Sequence, residues 1–459
     1  MKIFAWLEET FAGTRKGIED VFVSMVPQAA TLIVGLLTSV LIARGLGPEG
    51  MGKYALILSV SGLALGLSDI GIGQTAIRFA SKAISLGEKE NQFAVLRWAF
   101  RLRMLLVFII TAIVFVLAPI IAGRIWHDES LTFLVRINLL AAIFGAIASM
   151  PMIYFLSLKR FRMNALVSVM QTLILFIGIL IIASQSNWSI EWVIIVNLIA
   201  VGLGAIVFFL LVPRSVFFSA GGFPKKFKFN IRKIWEAPIQ NTTVSQSLDS
   251  SSVNSFAAYM VLSTVFVMLT LNADVWLMGV FLDKNQIGLY SVGARFTLPL
   301  VMVLNGLNTA LWPRASALKS TEETKDMLKK VFKICLIVSL FGVIYALTVP
   351  LLAPWLFGSA YEGSILVGQL LSMRYVIAIL ICPIGVIGYS FGLVRIYWLI
   401  NILQLIVVVG INVLLLPQIG MIGSALALIA NDMVGFIIIG AMIWRRINNS
   451  SDLTNCRGI

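Results

Sequence analysis

Long apolar runs alternate with short polar breaks along the chain, and no charged residue interrupts 21–43, 104–123, 163–185 or 334–356. A helix rises 1.5 Å per residue, so about 20 apolar residues cross the roughly 30 Å hydrocarbon core of a bilayer. Each of these runs meets that length, and others carry a single ionisable residue in otherwise apolar sequence. The pattern predicts twelve spanning helices, near 21–43, 54–77, 104–124, 133–157, 163–185, 190–212, 256–281, 287–311, 333–356, 364–390, 395–416 and 419–443. The expected fold class is an all-α polytopic membrane protein.

Composition agrees with the pattern. The 459 residues are 59% hydrophobic and 12% charged, about half the charged fraction of a soluble domain, and the mean hydropathy is +0.97. The chain is basic, with 35 Lys and Arg against 21 Asp and Glu. The basic residues concentrate at 78–103, 159–162, 214–233, 314–333 and 445–457, all on one side of the predicted topology. Lysine and arginine mark the cytoplasmic side of a membrane protein, so both termini are expected there. The charge is therefore a topology signal and a contact with anionic membrane lipid. Spread over separate loops, it is no nucleic-acid footprint. His127 is the single histidine, and Cys335, Cys382 and Cys456 stand far apart, so no cofactor, metal site or disulfide framework is expected. The stretch 1–20 has Glu8, Glu9, Glu19 and Asp20 before the first apolar run, with Phe4, Trp6, Leu7 and Phe11 between. It predicts an amphipathic surface segment and no cleaved signal peptide.

The break after the first span, GLGPEGMGKY at 45–54, carries Gly47, Gly52 and Lys53 at the spacing of a nucleotide-binding loop. Such a loop needs a preceding strand and a Ser or Thr after the lysine. Here the flanks are membrane helices and the residue is Tyr54. The break also has a second copy. LGPEGMGKYA (46–55) aligns with LDKNQIGLYS (282–291), keeping Leu46/Leu282, Gly52/Gly288 and Tyr54/Tyr290. Matches continue at a slowly drifting offset: Pro151/Pro383, Gln171/Gln404 and Asn197/Asn431. The chain thus divides into an N-terminal cytoplasmic segment (1–20), a six-helix lobe (21–212), a cytoplasmic linker (213–255), a second six-helix lobe (256–443) and a tail (444–459). Six spans per half is an even number, so the repeat is parallel, with a pseudo-two-fold axis along the membrane normal.

The hairpin L-G-P-x-G-x-G-x-Y with L-S-D-I-G-I-G, the stretch A-D-V-W-L-M-G-V-F-L…I-G-L-Y-S-V-G-A-R-F…P-R-A-S (273–316) and G-M-I-G-S-A-L-A (420–427) resemble Wzx-type polysaccharide and O-antigen flippases. These belong to the multidrug/oligosaccharidyl-lipid/polysaccharide (MOP) exporter superfamily. The resemblance runs from about 20 to 445 and implies a MATE-like fold in a bacterial inner membrane. It also implies transport, with no chemistry catalysed, of an undecaprenyl-pyrophosphate-linked oligosaccharide from the cytoplasmic to the periplasmic leaflet for lipopolysaccharide or other surface polysaccharide. A polysaccharide polymerase and a chain-length regulator are the partners that role leaves room for, with H+ or Na+ as a coupling ion. A cation-coupled multidrug exporter of the same superfamily is the alternative. A membrane glycosyltransferase or polymerase ranks last, because the outer loops are short.

Ionisable residues inside spans are costly and mark function. Arg295 and Arg374 lie nine to ten residues into their predicted spans, about 13 Å deep at 1.5 Å per residue. Both are expected to bind phosphate, which a guanidinium meets bidentately. Arg136 is a shallower candidate, and Arg78 and Arg314 sit at cytoplasmic helix ends, where they either capture substrate or anchor to lipid. Asp274 lies at a depth to pair with Arg295. Asp69 and Asp432 are candidates for ion coupling or for helix packing.

Overall fold

The computed structural model describes residues 15–158, 160–185, 188–212, 250–317, 321–390 and 394–448. Most of the expected N-terminal segment, the linker up to 249 and the tail beyond 448 lie outside the described residues. Among those described there is no strand. The helices are α1 (Arg15–Asp69), α2 (Ile72–Ser85), α3 (Lys89–Pro119), α4 (Leu131–Ser157), α5 (Phe161–Ser184), α6 (Ile190–Leu211), α7 (Ser250–Phe281), α8 (Lys284–Arg295), α9 (Leu298–Ala317), α10 (Thr321–Phe357), α11 (Ile365–Ser390), α12 (Val394–Ile419) and α13 (Met421–Asn448).

Among the described residues ten helices are long and apolar enough to cross a membrane, with an eleventh span if the pair α8 and α9, bent by 46°, crosses as one. The first of the ten, Gln28–Asp69, has 42 residues, about twice what a bilayer needs. It is broken at Gly47, whose φ of 68° and ψ of 176° are not helical. That backbone lies in the left-handed half of conformational space, which glycine enters without a Cβ penalty. Counted as two helices, α1 restores the twelve spans expected from the pattern. Large apolar side chains such as Phe341, Leu351 and Trp355 are exposed on helix exteriors, a surface that only hydrocarbon tolerates.

The chain forms two compact units, which do not coincide with the two sequence halves. The first comprises residues 1–45, 72–116 and 133–225. Its core packs Ile72, Ala76 and Ala80 of α2 against Leu96 and Ala99 of α3, Ile153 and Phe155 of α4, and Val167 of α5. The second comprises residues 46–71, 117–132 and 226–459, so the first hairpin of the N-terminal half packs with the C-terminal half. Within it α10 packs on α11, α7 on α12, and α13 on both α11 and α12.

The duplicated hairpin explains this grouping. A Cβ on Gly52 would collide with the carbonyl of Lys284, and one on Gly288 would collide with the carbonyl of Pro48. Each would also lie 3.0 Å from the other glycine's nitrogen. Pro48 and Gly52 are the repeat partners of Lys284 and Gly288, so the contact is self-complementary, as a two-fold axis between parallel helices requires. Small residues let two backbones approach this closely, which is how membrane helices associate without a hydrophobic driving force. The near nucleotide-binding spacing is thereby accounted for: Gly47 turns the chain and Gly52 packs on its own duplicate. Lys53 is 2.9 Å from Glu49 and 3.8 Å from Asp128. Nearby, Lys284 donates from Nζ to the carbonyl of Trp126. Trp126 is fully buried, edge-on to Trp276 with centroids 5.6 Å apart.

Gly52→Ala and Gly288→Ala are each expected to destabilise by about 1–3 kcal/mol through overpacking. Gly440→Ala, where nothing lies within 4 Å of the added methyl, is expected to be neutral or to stabilise by about 0.5–1 kcal/mol. Thermal unfolding midpoints of the three purified variants in detergent check the contrast.

Candidate functional site

Four of the candidate charges, Arg374, Asp432, Asp274 and Arg295, lie in the second unit and are taken as two groups. In the first, Arg374 of α11 meets Asp432 of α13 through two parallel bonds, Nε to Oδ2 at 2.6 Å and Nη2 to Oδ1 at 3.1 Å. The helices hold the pair because Arg374 lies mid-span on α11, which packs directly on α13. The pair is mostly screened, with 14% of the arginine side chain and 23% of the aspartate exposed. Asn431 adds a bond from Nδ2 to Asp432 Oδ1 at 2.9 Å, and Gln404 donates from Nε2 to the Asn431 carbonyl at 3.1 Å. The guanidinium also lies 5.3 Å from the Tyr375 ring centroid. Asp432 forms part of the wall of a cavity of about 550 Å³, with Asn308, Cys382, Gln404 and Phe436. There the Cys382 thiol donates to Asn308 Oδ1 at 3.1 Å.

The second group surrounds the hairpin seam. Asp274 of α7 is buried, and it accepts from the Tyr290 hydroxyl and from the Val275 amide, each at 2.8 Å. The expected pairing of Asp274 with Arg295 therefore does not form, because a tyrosine hydroxyl from the repeat occupies the carboxylate. Arg295, the last residue of α8, makes no hydrogen bond and no ion pair with any described residue. Its Nε is buried and unpartnered. Of the duplicated tyrosines, Tyr290 bonds the Asp274 carboxylate. The second arginine, Arg374, carries its own counter-ion, so the two deep arginines are not equivalent.

Two further candidates lie on α4 and α1. Arg136 lies near the start of α4, where Nε donates to the Phe115 carbonyl at 3.3 Å and Cζ stands 4.7 Å from that ring's centroid. It holds the end of α3. Asp69 closes α1 just before Ile70 and Gly71, whose positive φ values of 33° and 72° break the helix. The break falls within S-D-I-G-I-G. The side chains of Arg78 and Arg314 lie outside those described. Asn308, Cys382 and Trp126 were not anticipated, and nothing in the periodicity singles them out. Among the described residues no group of three or more His, Cys, Asp or Glu could hold a metal.

Residues 18–319 match the model of a family described as "Polysaccharide biosynthesis protein". The chain belongs to that family. No curated protein matches it in sequence. Its fold is similar to a multidrug resistance MATE-family transporter of the MOP superfamily in an inward-facing conformation, with TM-score 0.67, 14% identity and 95% of this chain and 99% of that one covered. An outward-facing conformation of such a transporter gives TM-score 0.64 at 16% identity, covering 95% of this chain and 96% of that one. A MOP-superfamily transporter from Pyrococcus furiosus, described as having a binding pocket of reverse polarity, gives 0.63 at 14%, with the same two coverages. The chain is thus a member of a polysaccharide biosynthesis family, with a MATE-like fold and the apolar helices of a multi-pass membrane protein.

Removing one partner of a buried ion pair costs about 3–5 kcal/mol, and an exposed pair contributes about 1 kcal/mol or less. Partial screening puts Arg374→Met between them, at about 2 kcal/mol. The double variant Arg374→Met/Asp432→Leu is expected to recover most of the loss, as a double-mutant cycle on thermal unfolding measures.

Proposed function

We propose that the chain flips an undecaprenyl-pyrophosphate-linked oligosaccharide from the cytoplasmic to the periplasmic leaflet, as a step in building a surface polysaccharide. The head group is large, hydrophilic and anionic, and stripping its water in hydrocarbon is prohibitive. A protein path therefore needs fixed cations held ready for the pyrophosphate. The observation that carries the reading is Arg295, a guanidinium within a span whose buried Nε is unpartnered and which makes no hydrogen bond or ion pair with any described residue. An unpaired charge there is costly, and an arriving phosphate would neutralise it through charge-assisted bonds. Arg374 is the second phosphate ligand in this reading, released when the substrate displaces Asp432. Transport proceeds by alternating access in this reading, and the basic side faces the cytoplasm. Membership of a polysaccharide biosynthesis family supports this reading over multidrug export, and a free cation repels the organic cations such an exporter carries.

Charge-assisted bonds contribute about 1.5–3 kcal/mol. Arg295→Gln in proteoliposomes is accordingly expected to slow transfer of a polyprenyl-pyrophosphate-linked sugar between leaflets by at least about tenfold, at unchanged protein level. Transfer unaffected by the change, or transfer of organic cations in place of the lipid, would overturn the assignment.

A further inference from the structure

The duplication places a glutamine and an asparagine at matching positions in each half, Gln171 and Asn197 in one, Gln404 and Asn431 in the other. In the C-terminal half they are bonded to each other and onward to Asp432. In the N-terminal half they are not. There α5 and α6 stand around a cavity of about 310 Å³, whose polar wall is Gln171, Asn197, Thr31, Ser168 and Thr172. The Thr172 hydroxyl donates to the Ser168 carbonyl at 2.9 Å. Gln171 and Asn197 make no hydrogen bond with any described residue. Both lie mid-helix in membrane spans, where an unmet amide costs several kcal/mol in lipid.

Two amides from one duplicated pair, kept polar and held apart around open space, need a ligand that supplies donors and acceptors. The lining decides its class. No Asp, Glu, Lys or Arg borders the cavity, which disfavours both a metal cation and a phosphate. The position equivalent to Asp432 is Leu198. What remains is three hydroxyls, two amides and the apolar faces of Leu175 and Val201. That mixture matches a sugar ring, with hydroxyls around its edge and C–H groups on its faces. The volume falls at the small end of small-molecule sites.

We propose that this cavity is a sugar subsite, binding a neutral hydroxyl-rich ring through Gln171 and Asn197. The proposal rests on the flippase reading for the origin of that sugar, but not for the binding itself.

The test is Gln171→Leu/Asn197→Leu in the full chain, in nanodiscs, with three measurements. Saturation-transfer NMR with the methyl glycosides of glucose, galactose and N-acetylglucosamine should show contact for at least one in the unaltered protein and none in the variant. Contact with none, or equal contact in both, overturns the proposal. In proteoliposomes the variant should move undecaprenyl pyrophosphate bearing one N-acetylhexosamine about tenfold more slowly, while sugar-free undecaprenyl pyrophosphate moves as before. Equal slowing of both lipids overturns it. Thermal unfolding should be unchanged or higher, because no protein bond is lost, and a fall of several degrees would assign the amides to helix packing instead. Glycoside contact without lipid movement would sustain the subsite and sink the flippase reading.

Discussion

Hydrocarbon supplies no hydrogen bonds and no counter-ions, so each polar group inside the spans needs its partner from the protein or from a ligand. Most of the groups described here have found one in the chain. Arg374 has Asp432, Asp274 has Tyr290, and Arg136 has the carbonyl left open at the end of α3. Against that background, Arg295 in one unit, and Gln171 with Asn197 in the other, make no hydrogen bond with any described residue. One is cationic and the others are neutral amides. A lipid-linked sugar head group has matching parts, a pyrophosphate and rings of hydroxyls.

Duplication supplied both the frame and the means of diverging from it. The glycines at 52 and 288 stayed, since each leaves room for the other's backbone and any Cβ would collide with a carbonyl. The tyrosines at 54 and 290 also stayed, and Tyr290 bonds the Asp274 carboxylate. The Gln and Asn pair stayed too, knotted into a charged network in one half and left open in the other. Backbone contact at a symmetric seam tolerates almost no change. Side chains a turn away are free to specialise.

The spans were legible because a bilayer forces a minimum length of apolar sequence, and the bends followed from glycine at Gly47 and Gly71. The family was legible through the hairpin motif. The partners of the charges were less so. Helix depth placed Asp274 level with Arg295, but depth says nothing about which face a residue occupies, and Tyr290 one helix turn earlier takes the carboxylate. Likewise Arg374 and Asp432 are 58 residues apart, on helices whose adjacency no local pattern encodes. The grouping of 46–71 with the C-terminal half was also hidden, although the glycines that cause it were visible as a repeat.

The account turns on whether an unpaired guanidinium within the membrane receives a pyrophosphate. Binding of farnesyl pyrophosphate and of farnesol to the purified chain, compared at low and high salt, addresses this directly. The prediction is saturable binding of the pyrophosphate that weakens as salt rises and disappears in Arg295→Gln, with no comparable binding of the alcohol. Equal affinity for the two lipids, or pyrophosphate binding indifferent to Arg295, would contradict it.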